Sequence, residues 1–221
     1  MTKRLADLLI ASLLFILTLP VMVAATIGCA IVLRAWPFFV QRRVGRNGRE
    51  FRFIKLRTLP TSTPAYLLKR DLSFKRVPLF TRTLRALHFD ELPQLLLVLT
   101  GQMSLVGPRP EMPEFHDELD PDFAAARTTV RPGCTGLWQI SADCEGLIGD
   151  TPEYDRFYLA NQSLRLDLWI LARTTLMMLG FGSPPGLDDV PRWALAPTPV
   201  ATVVPTPRHD TLELADADLT G

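Results

Sequence analysis

Three hydrophobic patterns divide the chain. From Leu8 to Leu33, 26 consecutive residues carry no charge, with Lys3 and Arg4 before the run and Arg34 closing it. As a helix at ~1.5 Å per residue this run is roughly 39 Å long, more than the ~30 Å hydrocarbon core of a bilayer. A cleaved signal peptide has an apolar region of only ~7–15 residues, so the run reads as a membrane helix. Pro20 lies at its middle, removes one backbone donor and frees the carbonyl of Ile16; the Thr18 hydroxyl is the local candidate to compensate. Two outcomes fit: a kinked spanning helix, or a re-entrant element entering and leaving on one face. The basic residues that follow (Arg42, Arg43, Arg46, Arg49, Arg52, Lys55, Arg57) place the C-terminal end of the run in the cytoplasm, and the basic start favours the same side for the N-terminus.

The second pattern has a period of two. Asn47-Gly48 is a strong turn signal, because both residues tolerate positive φ, and the segments on either side should pair as strands. Alternation puts Phe51, Phe53, Lys55 and Arg57 on one face and Arg52, Ile54 and Leu56 on the other. Such a hairpin either lies solvated against anionic headgroups or turns Lys55 and Arg57 toward a phosphorylated ligand.

The third pattern is helical. Leu92, Leu95, Leu96 and Leu99 form an apolar stripe, with Asp90 placed to cap the helix and Pro93 in its first turn. Capping by Asp90 and dipole complementation by Glu91 account for both acids. The same geometry suits chemistry, since a helix start favours anions and adjacent carboxylates can divide attack and metal holding. An aspartate attacking a diphosphate needs cations around it. Arg82 and Arg85 lie upstream, and Arg109 is held between Pro108 and Pro110, which limits the freedom its guanidinium has to lose.

Farther along, Glu114, Asp117, Glu118 and Asp120, with His116 among them, read as a solvated acidic helix rather than a metal site. A helix from about Ser163 carries Leu164, Leu168, Leu171 and Thr175 as a stripe, fitting either a membrane interface or a core. Residues 182–221 hold seven of the 19 prolines and read as a Pro-rich disordered tail.

Charge sharpens this picture. Residues 1–89 carry 16 Lys and Arg against three acids, whereas residues 90–221 carry 8 against 20. The basic half therefore meets anions: membrane phosphates, nucleic acid or a phosphorylated substrate. Three cysteines, Cys29, Cys134 and Cys144, are odd in number and lack metal-type spacing, which argues against a disulfide scaffold.

Taken in order, five segments narrow the choice. Gln41-Arg42-Arg43-Val44-Gly45 with Asn47-Gly48, Lys55-Leu56-Arg57-Thr58, Asp90-Glu91-Leu92-Pro93-Gln94, the eleven residues from Gly101 to Glu111, and Arg131 to Gln139 together resemble the bacterial sugar transferase family. These are monotopic phosphoglycosyl transferases, and the similarity runs from about Lys3 to Leu179. The resemblance implies transfer of a sugar-1-phosphate from a UDP-sugar to undecaprenyl phosphate, releasing UMP and initiating surface-glycan assembly. It implies Asp90 as the nucleophile that forms a covalent phosphosugar intermediate, Glu91 as the Mg²⁺ ligand, and Arg85, Arg109, Lys55 and Arg57 as phosphate-binding groups. Arg131, Thr135, Trp138 and Gln139 are its candidate nucleotide or sugar contacts, and Pro20 its membrane helix break, which shifts the choice to a re-entrant helix.

The implied location is the cytoplasmic face of the bacterial inner membrane, with no role for nucleic acid and a homo-oligomer left open. The expected fold is α+β and predominantly helical: a membrane helix over 1–35, a catalytic domain with a small β-hairpin over 36–181, and the tail over 182–221. The sequence departs from the family pattern at Leu19-Pro20 in place of Ser-Pro, at His88 in place of a short hydroxyl residue, and over residues 140–146, where a sugar or nucleotide contact is expected. The competing class is a catalytically silent membrane adaptor, which has no need of Asp90, Glu91, Arg85 and Arg109 together.

Overall fold

The uncharged N-terminal run folds as one helix, α1 (Thr2–Leu33), with Pro20 inside it. It belongs to a computed structural model that describes residues 2–63 and 77–195. Helical structure continues on both sides of Pro20, so this residue does not separate two helices. The Thr18 hydroxyl donates to the carbonyl of Leu14 at 2.7 Å rather than to that of Ile16, because a helical side chain leans back toward the preceding turn. One stripe of α1 faces the rest of the chain. Asp7, Ala11, Ala25 and Cys29 are buried and Phe15, Thr18 and Met22 partly so, while Leu9, Leu13, Ile16, Leu17 and Ile27 are exposed.

Both ends of α1 are fastened to one domain. Lys3 Nζ donates to the Val106 carbonyl, the Tyr158 hydroxyl and the Asp167 carboxylate. Asp7 accepts from Ser104 Oγ at 2.9 Å and from the Leu105 amide at 3.2 Å. At the other end Ala25 and Cys29 pack with Leu56 and Leu84.

The hairpin forms as its turn signal predicts. Strands β1 (Phe38–Val44) and β2 (Glu50–Leu56) pair antiparallel, with Phe39 opposite Lys55, Gln41 opposite Phe53 and Arg43 opposite Phe51. Asn47 and Gly48 take φ of 59° and 71° in the turn. Next come α2 (Leu79–Ala86), a 3-10 turn over Phe89–Glu91, and α3 (Gln94–Leu99). Asp90 therefore sits in a tight turn upstream of α3 instead of capping it, and Pro93 takes the cap position. The buried face of α3 is Gln94, Leu95, Leu97 and Val98, with Leu96 exposed. α3 thus begins three residues later than a cap at Asp90 would place it, and its buried face is not the leucine stripe.

A second sheet has no counterpart in the sequence pattern. Strands β3 (Ser104–Val106) and β4 (Gly133–Thr135), three residues each, pair in parallel. Between them lie α4 (Pro113–Asp117) and α5 (Pro121–Thr128), with Glu114, Asp117, Glu118 and Asp120 exposed. Among the described residues no three His, Cys, Asp or Glu side chains gather as a metal site.

The remaining helices are α6 (Leu137–Ile140), α7 (Glu153–Ala160) and α8 (Leu164–Met178). In α8 the core side is Leu166, Asp167 and Ile170, while the expected stripe at Leu164, Leu168 and Thr175 is exposed. Residues 182–195 do not behave as a tail. Arg173 holds the Ser183 carbonyl, Ser163 Oγ holds that of Ala194, and Val190 and Ala194 join the core. The rest of the expected tail lies outside the described residues.

Candidate active site

Lys55 on β2, Glu91 in the 3-10 turn, Arg109 and Gln139 line one open cleft, together with Arg43, Phe53, Gln94, Pro110, Gly133 and Cys134. Local structure explains how such distant segments meet. Alternation on β1 and β2 puts Arg43, Phe53 and Lys55 on the same face of the hairpin. Pro108 and Pro110 are buried while Arg109 between them is exposed, so two anchored rings hold the backbone that carries a free guanidinium. Beneath it, Arg127 donates to the Arg109 carbonyl at 2.8 Å and to Asp155 at 2.7 Å. The Arg127–Asp155 pair is itself buried, at 4% and 3% side-chain exposure.

Asp90, beside Glu91 in the same turn, is not part of that lining and is only 3% exposed. Burial, with Glu91 beside it, pushes its carboxyl up to about 7, and Lys55 and Arg85 oppose that rise. Burial lowers the Lys55 ammonium from its ordinary value, while Glu91 and Asp90 favour its charge and Arg85 and Arg109 oppose it. Lys55 also sits over the Phe39 ring, 5.5 Å from its centre.

Arg43 is the residue to which the sequence pattern assigned no role. Its guanidinium donates to the Pro110 carbonyl and to Gln41 Oε1, both at 2.9 Å, and lies 5.4 Å over the Phe53 ring. Burial brings it down to about 10, and the neighbouring Arg109 charge adds to that fall. Two guanidiniums and an ammonium thus share one cleft, an arrangement stabilised by a polyanion between them. The signal for Arg43 was present: the Asn47-Gly48 turn sets the register, and the register puts position 43 on the Lys55 face.

Four expected contacts do not line this cleft, although Arg57 shares the Phe39 ring with Lys55. Arg57 Nε donates to the Trp36 carbonyl at 3.1 Å, past the end of β2. Arg131 Nε donates to Gly101 at 2.8 Å, beside Arg4. Thr135 is buried and pairs with the Thr174 hydroxyl at 2.8 Å. Trp138 is buried in the core, its indole N–H on Thr151. Thr135 and Trp138 thus place their polar atoms on structural partners, whereas Arg57 and Arg131 use only Nε in this way. Residues 140–146 contribute no cleft lining; Ser141 caps a 3-10 turn over Ala142–Glu145 instead.

The far wall depends on close backbone approach. A Cβ on Gly133 would lie 2.1 Å from the Gly107 nitrogen and 2.3 Å from the Thr135 oxygen. Gly133→Ala should therefore force β3 from β4 and cost about 1–3 kcal/mol, read as a lower melting temperature and a lower yield of folded protein.

Comparison with known proteins decides the family. The bacterial sugar transferase family model matches residues 1–180. The chain belongs to the bacterial sugar transferase family. Among its relatives, the UDP-N-acetylgalactosamine-undecaprenyl-phosphate N-acetylgalactosaminephosphotransferase of Aeromonas hydrophila is 35% identical over 82% of this chain and 44% of its own length. The exopolysaccharide production protein ExoY of Rhizobium meliloti is 34% identical over 79% of this chain and 84% of its own. The UDP-glucose:undecaprenyl-phosphate glucose-1-phosphate transferase of Xanthomonas campestris is 34% identical over 80% of this chain and 39% of its own. The chain thus spans less than half of two of these relatives and most of the third.

Within this family frame His88 has a backbone explanation. It is exposed and left-handed, at φ 57°, and its carbonyl accepts from the Glu91 amide at 3.1 Å. It shapes the turn that presents Asp90 and Glu91, through its main chain.

Proposed function

We propose that this chain transfers a sugar-1-phosphate from a UDP-sugar to undecaprenyl phosphate, releasing UMP, by double displacement through Asp90. The observation that carries the reading is the convergence of Arg43, Lys55 and Arg109 on one cleft, with Glu91 in its wall and Asp90 next to Glu91 and within the field of Lys55. An adaptor that only binds lipid has no use for a covered carboxylate next to such a cleft.

In the first step an Asp90 carboxylate oxygen attacks the β-phosphorus, the bond to the bridging oxygen breaks, and UMP leaves with that oxygen and the electron pair. In the second an oxygen of the lipid phosphate attacks the same phosphorus and frees the carboxylate. Arg43, Arg109 and Lys55 offset the repulsion between the entering anions and stabilise charge on the departing phosphate. Glu91 suits Mg²⁺, because this ion is bound through one or two carboxylates plus substrate phosphates, without a full protein cage. It would add charge neutralisation on the diphosphate.

Attack needs the ionised carboxyl, and Asp90 titrates near 7. The pH profile of kcat/KM should therefore rise through about pH 7 on its acid side. A flat profile between pH 5.5 and 8 would count against Asp90 as the attacking group. The deciding assay is UMP release from a panel of UDP-sugars with undecaprenyl phosphate. No release from any donor would end the transferase reading.

The membrane arrangement follows from α1. Its N-terminal Lys3 and Asp7 and its C-terminal Ala25 and Cys29 are all held by one domain, which supports both ends lying on the cytoplasmic face although Pro20 does not divide the helix. A spanning helix would carry one of those ends away from the domain. The exposed apolar face of α1, with Trp36 at 71% and Leu79 at 69% exposure, supplies the lipid-facing surface. Thr2→Cys should be labelled from the cytoplasmic side only; labelling from the periplasm would establish a spanning helix.

A further inference from the structure

Three buried polar atoms without a hydrogen-bond partner belong to residues of the same cleft: Arg43 Nε, Gln94 Nε2 and Gln139 Oε1. Buried polar groups are nearly always paired, and each exception calls for an explanation. Arg43 has one in the diphosphate. The glutamines do not. Gln139 Oε1 is an acceptor and needs a donor, and a diphosphate at neutral pH offers acceptors only. A primary amide offers both an acceptor and donors, so a ligand that satisfies these two side chains must itself both donate and accept. A sugar hydroxyl does both, and so does an acylamino group.

We propose that Gln94 and Gln139 are the sugar-recognising residues of the cleft, Gln94 donating to and Gln139 accepting from hydroxyl or acylamino groups of the sugar being transferred. This rests on the transferase reading above. The edge of uracil offers the same two functions, and position separates the two ligands. Gln94 opens α3 four residues after Asp90 and three after Glu91, and is itself only 3% exposed. It is thus on the side of the attacking carboxylate. In an in-line displacement the leaving group departs on the side opposite the nucleophile, which takes the nucleoside away from Gln94 and leaves the sugar beside it. Gln139 comes from α6 across the cleft, its Oε1 packed against Gly136, where a Cβ would lie 2.5 Å from it. That packing fixes the acceptor in place, so it selects among hydroxyl configurations instead of adapting to them.

The test uses the full-length membrane protein and the variants Gln94→Met, Gln139→Met and Gln139→Glu. Donors are UDP-glucose, UDP-galactose and their N-acetylated amino-sugar counterparts. KM and kcat are measured for each, with inhibition by UMP and the melting temperature alongside. A site built to hydrogen-bond a substrate group discriminates strongly, so KM for the preferred donor should rise at least ~10-fold and the ratio between donors should shrink by a similar factor. Inhibition by UMP should stay unchanged. Gln94→Met is close in volume and removes an unpaired buried amide, so its melting temperature should hold or rise. A loss of UMP inhibition in step with the rise in KM would assign the glutamines to the nucleotide and overturn the proposal. Folded variants with wild-type KM and donor ratios would also overturn it, leaving the transferase reading intact. A wild-type chain that releases UMP from no donor would overturn both.

Discussion

Replacing Asp90 with Asn is expected to reduce UMP release by at least ~1,000-fold and, in the same protein, to raise the melting temperature above pH 7. The loss follows from removing the attacking oxygen. The gain follows from linkage. Asp90 titrates near 7 in the folded chain against 3.8 ordinarily, so its ionised form is the one that folding disfavours. Below about pH 4 the carboxyl is protonated in both folded and unfolded chains and costs nothing. Between about 4 and 7 the unfolded chain ionises first, and folding becomes less favourable as pH rises. Above 7 the full cost is present, of order 4 kcal/mol for a shift of this size. Asn carries no such charge. Its melting temperature should match that of the wild type near pH 4 and exceed it by about 5–12 °C at pH 8. Scanning calorimetry at the two pH values checks this, and equal melting temperatures at pH 8 would mean that the carboxyl is not strained by burial.

The second large effect belongs to a residue that takes no role in the chemistry. Asp155→Ala should lower the melting temperature by about 6–15 °C, because it leaves the Arg127 guanidinium buried and unpaired at a cost of about 3–5 kcal/mol. Despite the short bond to Arg127, burial holds the Asp155 carboxyl above its ordinary value. The pair is therefore costly to break, yet contributes little net stability when intact. Replacing both partners, Arg127→Met with Asp155→Leu, should accordingly recover most of the lost melting temperature. It should not recover turnover. Arg127 also grips the carbonyl of Arg109, and without that grip the Pro108-Arg109-Pro110 backbone loses some of what aims the guanidinium into the cleft. Full recovery of turnover in the double variant would show that the prolines aim Arg109 unaided.

Some of this was legible because it is local. The Asn47-Gly48 turn, the strands beside it and the Lys55 face depend on φ preference and a period of two, both carried by consecutive residues. The long uncharged run made α1 plain. Asp90, Glu91, Arg85, Arg109, Lys55 and Gln139 could be singled out by residue type and by motif order, and the cleft brings Glu91, Arg109, Lys55 and Gln139 together. Less was legible where a side chain also has a structural partner. Arg57, Arg131, Thr135 and Trp138 are residue types that bind phosphates or sugars, and each also has one polar atom on Trp36, Gly101, Thr174 or Thr151. No spacing in the chain announces such a partner. The frame of α3 failed similarly: the 3-10 turn at Phe89–Glu91 uses residues that the leucine stripe had assigned to the helix.

By itself, then, the chain determines a long apolar helix, a basic hairpin and a pair of carboxylates among arginines, since hydrophobic period, charge and turn chemistry act over a few residues. Tertiary structure alone decides that both ends of α1 meet one domain, that a three-residue parallel pair closes the far wall, and that Arg43, Gln94 and Gln139 face one space. Those outcomes depend on contacts between segments tens of residues apart, where burial and competition for hydrogen-bond partners select which polar groups stay free to meet a ligand.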